Sequence, residues 1–239
     1  MRGCSVRSNP IYAGATRLVQ ATRLMEQMVI AIDGPAGAGK STVAQGVARA
    51  LGFTYLDSGA MYRTVGLAAL DRGLDLADGE RLGEMAWTLD ITFDGDSIRL
   101  DGAPVGGRVR APEVTIAASK VSVHPQVRQA MVKRQRELIA AGNYVAEGRD
   151  IGTVVSPGAP LKVFLTASEE ERARRRAGET GESVAEVREA IEDRDRRDRG
   201  REHGALRAAE DSVAVDTTNL SPDQVVERIA ELARQRGIA

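Results

Sequence analysis

The chain has 239 residues, which is enough for one large α/β domain or for a core domain with small insertions. Hydrophobic residues make up 42% of it and can form a sizeable core, whereas aromatic residues reach only 3%, which argues against stacking platforms for single-stranded nucleic acid. The formal net charge of −1 also disfavours a nucleic-acid polymer as a partner. A single cysteine excludes a disulfide framework and favours a reducing compartment, so we expect a cytoplasmic protein.

Residues 1–27 differ in composition from the rest of the chain. They contain four arginines, and Glu26 is their only acidic residue. This composition is typical of a targeting peptide, but an upstream start codon or a disordered tail is the plainer interpretation, and we expect a disordered extension here. Met28 directly precedes the first predicted strand, so we expect a single folded domain over residues 28–237. No run approaches the roughly 18 apolar residues needed to cross a bilayer, so we expect no membrane partner.

The first elements alternate strand and helix. The apolar run Val29–Asp33 stops at glycines, as a buried parallel strand does, and a helix is predicted from about Gly39 to Leu51. Phe53–Asp57 predicts a second strand. A second helix follows over Ser58–Arg72, with Ser58 expected as its N-cap.

An insertion interrupts this pattern at about residues 88–120. Apolar and polar residues alternate from Leu89 to Val105, and Asp94-Gly95 separates the two runs. Alternation around such a dipeptide predicts a small antiparallel hairpin.

The second half of the chain returns to strands and helices. The predicted elements are a helix over Pro125–Ala141, strands over Tyr144–Glu147, Leu161–Thr166 and Ser212–Asp216, and helices opened by Ser168-x-x-Glu171, Ser183-x-x-Glu186 and Ser221-Pro222-Asp223-Gln224. The first two of these openings have the spacing of a capping box, and the third is an N-cap followed by proline. The chain therefore predicts an α/β fold in which a five-stranded parallel sheet is covered by helices on both faces.

A glycine-rich segment follows the first strand and matches the pattern G-x-x-x-x-G-K-[ST] of the P-loop NTPases. It reads Gly34-Pro35-Ala36-Gly37-Ala38-Gly39-Lys40-Ser41 and is followed by Thr42. Glycines let backbone N–H groups surround phosphate oxygens, and the next helix directs its positive end to the same anion. Lys40 is expected to reach the β- and γ-phosphates of ATP, and Ser41 to bind Mg²⁺. The motif indicates a nucleoside triphosphate but not the reaction.

Arginines lie in three segments well away from Lys40. The segments are Leu56-Asp57-Ser58-Gly59-Ala60-Met61-Tyr62-Arg63, Glu147-Gly148-Arg149-Asp150, and Arg194-Asp195-Arg196-Arg197-Asp198-Arg199-Gly200-Arg201. Each has a simpler explanation: Arg63 as a solvated helix residue, Arg149 paired with a carboxylate, and the last run as a salt-bridged helix face. The first two segments follow strands at the edge where ligands bind in such sheets.

Considered together, the three segments indicate a phosphate acceptor. Arginine stays charged and offers a two-pronged donor to phosphate. An attacking phosphate oxygen is already ionised at neutral pH and needs no general base, so positioning and charge neutralisation would supply the catalysis. The pattern therefore favours a kinase whose acceptor is a phosphate rather than an alcohol.

At these residues the chain resembles the bacterial cytidylate kinases, and the resemblance covers Met28 to about Arg236. Its motifs are I-D-G-P-A-G-A-G-K-S, L-D-S-G-A-M-Y-R, E-G-R-D-I-G-T-V-V and R-D-R-R-D-R-G-R, in that order. The resemblance implies a nucleoside monophosphate kinase fold with a phosphate-loop core, a monophosphate-binding insertion and a mobile lid at about residues 178–203. It implies transfer of the ATP γ-phosphoryl group to CMP or dCMP, with UMP or AMP as the alternative acceptor.

The resemblance also implies roles for individual residues. Ser58, Arg63 and Arg149 would hold the CMP phosphate; Ser119, Arg128 and Asp150 would read cytosine; Arg194 and Asp198 would contact the sugar; and Arg201 would close over the acceptor. The residues expected to act in catalysis are Lys40, Arg63, Arg149, Arg194 and Arg201. The expected ligands are ATP, Mg²⁺ and CMP or dCMP, and the charged helices show no apolar seam, so we expect a monomer.

Three other readings stay open at this stage. A related small-molecule kinase for adenylate, uridylate or a shikimate-like acceptor would share the phosphate loop. A GTPase switch or a transporter ATPase is disfavoured, since neither an N-K-x-D motif nor an L-S-G-G-Q-like segment occurs. A non-enzymatic nucleotide sensor would give no reason for Arg63, Arg149 and the Arg194–Arg201 cluster.

Overall fold

A five-stranded parallel sheet forms the centre of the computed structural model, which describes residues 28–238. The strands of that range are β1 Val29–Asp33, β2 Thr54–Asp57, β3 Ile91–Asp94, β4 Ser97–Leu100, β5 Ala103–Pro104, β6 Tyr144–Gly148, β7 Leu161–Thr166 and β8 Val213–Asp216. The parallel sheet has the order β2-β6-β1-β7-β8, and β3, β4 and β5 form a separate sheet. The predicted fold class is confirmed. The extension expected at residues 1–27 lies outside the described residues.

Helices cover both faces of the parallel sheet. They are α1 Lys40–Leu51, α2 Ser58–Asp71, α3 Gly79–Thr88, α4 Pro112–Val121, α5 Pro125–Ile139, α6 Glu169–Thr180, α7 Val184–Arg199 and α8 Pro222–Gln235, with a 3₁₀ turn at Arg108–Arg110 and a π-helical turn at Ile151–Val155. Every residue of β1 is buried, and its side chains alternate between two cores. Ile30 and Ile32 pack with α1 and α8, whereas Val29 and Ala31 pack on the side of α2, α3 and α5. Within residues 28–238, no helix has the length and apolar character needed to span a membrane.

The cap predicted for α2 is wrong, because Asp57 rather than Ser58 caps this helix. The Asp57 backbone is extended, and its carboxylate accepts a hydrogen bond from the Ala60 amide at 2.7 Å. Ser58 is already helical, and its hydroxyl donates to the Glu147 carbonyl of β6 at 2.6 Å. Ser58 therefore joins the helix to the neighbouring strand.

One of the two predicted capping boxes is incomplete. Ser183 and Glu186 exchange both hydrogen bonds at the start of α7. At α6 the Ser168 hydroxyl accepts from the Glu171 amide, but the Glu171 carboxylate binds Arg174 and Arg175 instead of returning the bond. Two arginines on the same helix compete better for this carboxylate than one backbone amide does.

The predicted insertion contains more structure than a hairpin. Asp94 pairs with Ser97, so the turn lies at Gly95-Asp96, one residue later than expected, and β5 adds a third strand. Helices α3 and α4 flank this small sheet and were not predicted. The domain and insertion boundaries remain predictions.

Helices α2 and α4 approach so closely that their contact has no room for a side chain at Gly66. A Cβ atom at Gly66 would lie 2.8 Å from the Ala118 backbone nitrogen and 3.1 Å from the Ala117 carbonyl carbon. Backbone cannot move aside as a side-chain end can, so this glycine sets the position of α4 and of Ser119 on it.

Replacing Gly66 with alanine is therefore expected to lower the free energy of unfolding by about 1–3 kcal/mol, measured by urea denaturation, because α4 must shift. Gly178→Ala in α6 is the matched control, since nothing lies within 4 Å of its Cβ position. That control is expected to stabilise by roughly 0.5–1 kcal/mol through helix propensity alone. Equal effects at both positions would contradict the packing explanation.

Candidate active site

The phosphate loop connects the end of β1 to the start of α1. Gly37 and Gly39 have φ angles of +75° and +84°, which other residues rarely adopt. A Cβ at Gly34 would collide with the Leu165 carbonyl of β7. Gly39 is the N-cap of α1, and no side chain caps the first amides of this helix. Backbone amides at the start of a helix that no side chain caps are available to bind an anion.

Lys40 is buried inside the loop that it is expected to serve. Its ammonium group donates to the Pro35 carbonyl at 2.8 Å. Burial and the nearby Arg149 lower the pKa of Lys40 to about 7, although Glu147 acts in the opposite direction. A phosphate chain beside this group would restore its positive charge.

Asp198 joins the segment after β6 to helix α7. Its carboxylate accepts from Arg149 Nε at 2.8 Å and also binds Arg201. Burial alone would raise the pKa of Asp198, but Arg149 and Arg201 hold it below its ordinary value. Arg63 of α2 pairs with Asp57 at 2.8 Å. Arg149 is thus paired with a carboxylate in this structure, as the simpler explanation of this arginine expected.

Arg194 lies close enough to these ion pairs for their charges to act on it. Burial and the neighbouring Arg149 lower the pKa of Arg194 to about 10, and Arg63 adds to the repulsion. Arg194 also acts electrostatically on Lys40. The structure therefore brings together all five residues predicted to be catalytic, which are Lys40, Arg63, Arg149, Arg194 and Arg201.

A second buried ion pair lies nearby, between Arg128 of α5 and Asp150, which follows Arg149 in the chain. The Arg128 guanidinium lies 5.6 Å from the centre of the Tyr62 ring. Burial raises the pKa of Asp150, and Arg128 opposes the change. A Cβ at Gly204 would collide with both partners, so the chain after α7 runs directly over this pair.

Two contacts join α4 to the end of α7. Ser119 accepts a hydrogen bond from Arg197 at 3.0 Å, and Ser122 accepts one from Arg201 at 2.7 Å. Arg197 and Ser122 were not predicted as site residues. In the sequence, Arg197 is one of several arginines in a charged run, and nothing distinguishes it from the others. Ser122 belongs to none of the four motifs that carried the prediction.

The residues around Ser41 fit a magnesium ion that is bound mainly through a nucleotide. Ser41 lies beside the buried Glu147 carboxylate and the Tyr55 hydroxyl, which donates to Glu147 at 2.8 Å. Across residues 28–238 there is no group of three or more His, Cys, Asp or Glu that could hold a metal ion. Mg²⁺ commonly binds few protein groups and completes its shell with phosphate oxygens and water, which this arrangement allows. Thr42 follows in the first turn of α1 and is exposed.

Comparisons with known proteins identify a family whose members resemble most of this chain. The family model described as cytidylate kinase matches residues 30–235. A cytidylate kinase of Caldanaerobacter subterraneus subsp. tengcongensis is 49% identical over 211 residues, which cover 86% of this chain and 94% of that protein. A cytidylate kinase of Mycolicibacterium paratuberculosis is 47% identical, with coverage of 89% of this chain and 98% of that protein.

Among solved structures, a gluconokinase from Sinorhizobium meliloti 1021 aligns with a TM-score of 0.50 at 17% identity. The alignment covers 88% of this chain and 94% of that one. At this identity the likeness shows the fold alone. The family model and the curated relatives span nearly the whole described range, and the chain belongs to the cytidylate kinase family.

Proposed function

We propose that this protein transfers the γ-phosphoryl group of ATP to CMP or dCMP, giving ADP and CDP or dCDP. One observation carries the proposal: Arg149 and Arg194 lie close enough to Lys40 of the phosphate loop to act on its charge, in a chain of the cytidylate kinase family. Such a reaction needs one site for the phosphates of ATP and a second site for the acceptor phosphate. The phosphate loop suits the first, and the guanidinium groups suit the second.

The donor side of the reaction is assigned to residues Gly34–Thr42. Positive-φ glycines and the uncapped start of α1 support binding of the ATP phosphates by backbone amides. Lys40 would leave the Pro35 carbonyl and bind the β- and γ-phosphates. Mg²⁺, held at Ser41, would neutralise phosphate charge.

The acceptor phosphate is assigned to Ser58, Arg63 and Arg149. Ser58 and Arg149 are positioned by β6, through the Glu147 carbonyl and the chain after Gly148. Arg63 faces them from the first turns of α2, next to Asp57. Arginines that are already held by carboxylates need little reordering before they bind an anion.

The base is assigned to Ser119, Arg128 and Asp150. Cytosine presents an amino group where uracil presents a carbonyl oxygen, and a carboxylate accepts a hydrogen bond only from the amino group. The buried Asp150 carboxylate, oriented by Arg128, therefore supports a preference for cytosine over uracil. Another nucleoside monophosphate kinase activity, with UMP or AMP as the acceptor, is the alternative.

The remaining assignments lie on the predicted lid, residues 178–203, which contains the whole of α7. Arg194 and Asp198 would contact the sugar, and Arg201 would close over the acceptor. Asp198 already joins Arg149 and Arg201, so the sugar and phosphate sites share one carboxylate. Closure would exclude water, which otherwise accepts the phosphoryl group.

Chemistry in this cleft needs no protein base. The acceptor oxygen is ionised at neutral pH, so the arginines and Lys40 would act by aligning it with the γ-phosphorus and by offsetting negative charge. No covalent enzyme intermediate is required. We place this activity in the cytoplasm and assign it to a monomer, as the single cysteine and the charged helices favour.

The acceptor profile tests the proposed function directly. We expect CMP and dCMP to be phosphorylated at least about tenfold more efficiently than UMP and AMP in an ATP-coupled assay, because one lost hydrogen bond that leaves a buried polar group unpaired costs about 1–3 kcal/mol. Shikimate and gluconate serve as alcohol acceptors for comparison. Turnover of an alcohol with none of CMP would overturn the assignment.

Lys40→Ala is expected to lower kcat by at least about a hundredfold, roughly 3 kcal/mol, because the transferring phosphoryl group loses its buried cation. Steady-state kinetics at saturating ATP and CMP measure this change. Lys120→Ala, on the exposed side of α4, is the control and should keep wild-type rates. A Lys40→Ala enzyme with near-normal kcat is incompatible with the donor site.

Arg149→Ala is expected to raise the KM for CMP and to lower kcat, because the variant removes an acceptor contact and leaves Asp198 with one partner fewer. A CMP titration with constant ATP separates the two parameters. Arg228→Ala, on the exposed face of α8, controls for loss of surface charge. An unchanged CMP titration would remove Arg149 from the acceptor site.

A further inference from the structure

Helices α6 and α7 hold the phosphate loop through a buried ion pair that none of the assignments above uses. Asp195 of α7 accepts a hydrogen bond from the Ala36 amide at 3.0 Å and one from Arg172 at 2.6 Å. The same Arg172 nitrogen donates to the Ala36 carbonyl at 2.9 Å. Asp195 and Arg172 are only 1% and 4% exposed, so these bonds are shielded from water.

The bonds fix the peptide group that Lys40 also contacts. The Pro35 carbonyl and the Ala36 amide belong to one peptide plane. Lys40 donates to the carbonyl side of this plane, and Asp195 accepts from the amide side. A rotation of the plane that frees Lys40 therefore has to change the bond to α7.

Close packing accompanies the hydrogen bonds. Gly37 lies against α6, where a Cβ would be 2.8 Å from the Arg172 carbonyl oxygen. Ala36 also forms a small apolar core with Ala177, Val187 and Ile191 of the two helices. The phosphate loop thus packs closely against α6 and α7 around one buried ion pair.

This ion pair lies directly beside a predicted catalytic residue. Asp195 follows Arg194 in α7, and Arg194 acts electrostatically on Lys40. When Asp195 binds Ala36, Arg194 is held at a defined distance from the phosphate loop. Loss of the bond would free both Arg194 and the loop at once.

We propose that Asp195 and Arg172 are positioning residues, which couple closure of α7 to the orientation of the phosphate loop and Lys40. This inference rests on the proposed kinase function and adds residues to its donor side. Neither side chain needs to touch the nucleotide. They act through Ala36 and Arg194.

The test uses the full-length chain with Asp195→Asn, Arg172→Gln and the double variant. Asp195→Asn keeps the shape of the side chain but leaves Arg172 without a negative partner. Asp193→Asn is the matched control on the same helix, since Asp193 and its partner Arg196 are 47% and 74% exposed. Thermal unfolding is recorded for every variant, so that loss of folding is recognised before kinetics are interpreted.

We expect kcat/KM for ATP to fall about 10–100-fold in Asp195→Asn and the KM for CMP to rise much less, because the phosphate loop loses a direct bond whereas the acceptor side is affected only through Arg194. The double variant should lose about as much as the worse single variant, since the pair acts as a unit. Asp193→Asn should stay within about twofold throughout. Equal losses for ATP and CMP, or an Asp195→Asn enzyme that matches Asp193→Asn, would overturn the proposal.

Amide hydrogen exchange gives a readout that depends neither on catalysis nor on a variant that folds. In the wild-type protein we expect the Ala36 amide to exchange slowly without nucleotide, because Asp195 binds it. Exchange as fast as that of an exposed loop amide would refute the positioning role of Asp195 and Arg172, even if CMP is phosphorylated. Wild-type protein with a slow Ala36 amide and no CMP kinase activity would instead refute the proposed function alone.

Discussion

Electrostatic repulsion acts among Lys40, Arg63, Arg149, Arg194 and Arg201 and constrains the residues around them. At an effective dielectric constant of about 20, two like charges about 4 Å apart repel by roughly 4 kcal/mol. Burial, followed by repulsion from neighbouring arginines, lowers the pKa of Lys40 to about 7 and that of Arg194 to about 10. A phosphate bound beside these groups would offset the repulsion and stabilise their charged forms.

The parallel sheet is what brings the donor and acceptor segments together. β1 pairs with β6 in a register that places Asp33 beside Gly148, so the phosphate loop and Arg149 begin at adjacent strand ends. The Asp33 carboxylate strengthens this contact by accepting the Ile151 and Gly152 amides at 2.9 and 2.7 Å. Burial raises the pKa of Asp33 to about 6, although these hydrogen bonds oppose the change. A raised folded-state pKa means that ionised Asp33 reduces stability at neutral pH, a cost that shrinks as the pH falls below about 6.

What could be predicted from the sequence depended on how local the determining interactions are. The phosphate loop was found because its glycines and Lys40 have fixed spacing, and the five strands because each is a short apolar run. Ion-pair partners were not predictable in the same way. Asp198 is one of several acids in an alternating Arg–Asp run, and only the docking of α7 selects it for Arg149. The contact between Ala36 and Asp195 spans 159 residues and leaves no local pattern in the sequence.

The prediction of the α2 cap was wrong for a more local reason. Asp57 and Ser58 are both residue types that favour the N-cap position, and only the residue at which the helix begins decides between them.

Most cations in the cleft already have a carboxylate partner, and this shapes how a substrate can bind. Arg63 pairs with Asp57, Arg128 with Asp150, and Arg149 with Asp198. These pairs hold the guanidinium groups in place and spare the protein the cost of uncompensated buried charge. A phosphate that binds these arginines would therefore add to the existing pairs or displace one of them. The position of each guanidinium group thus depends on its acid, which makes the arrangement of the acids as important to anion binding as the arginines themselves.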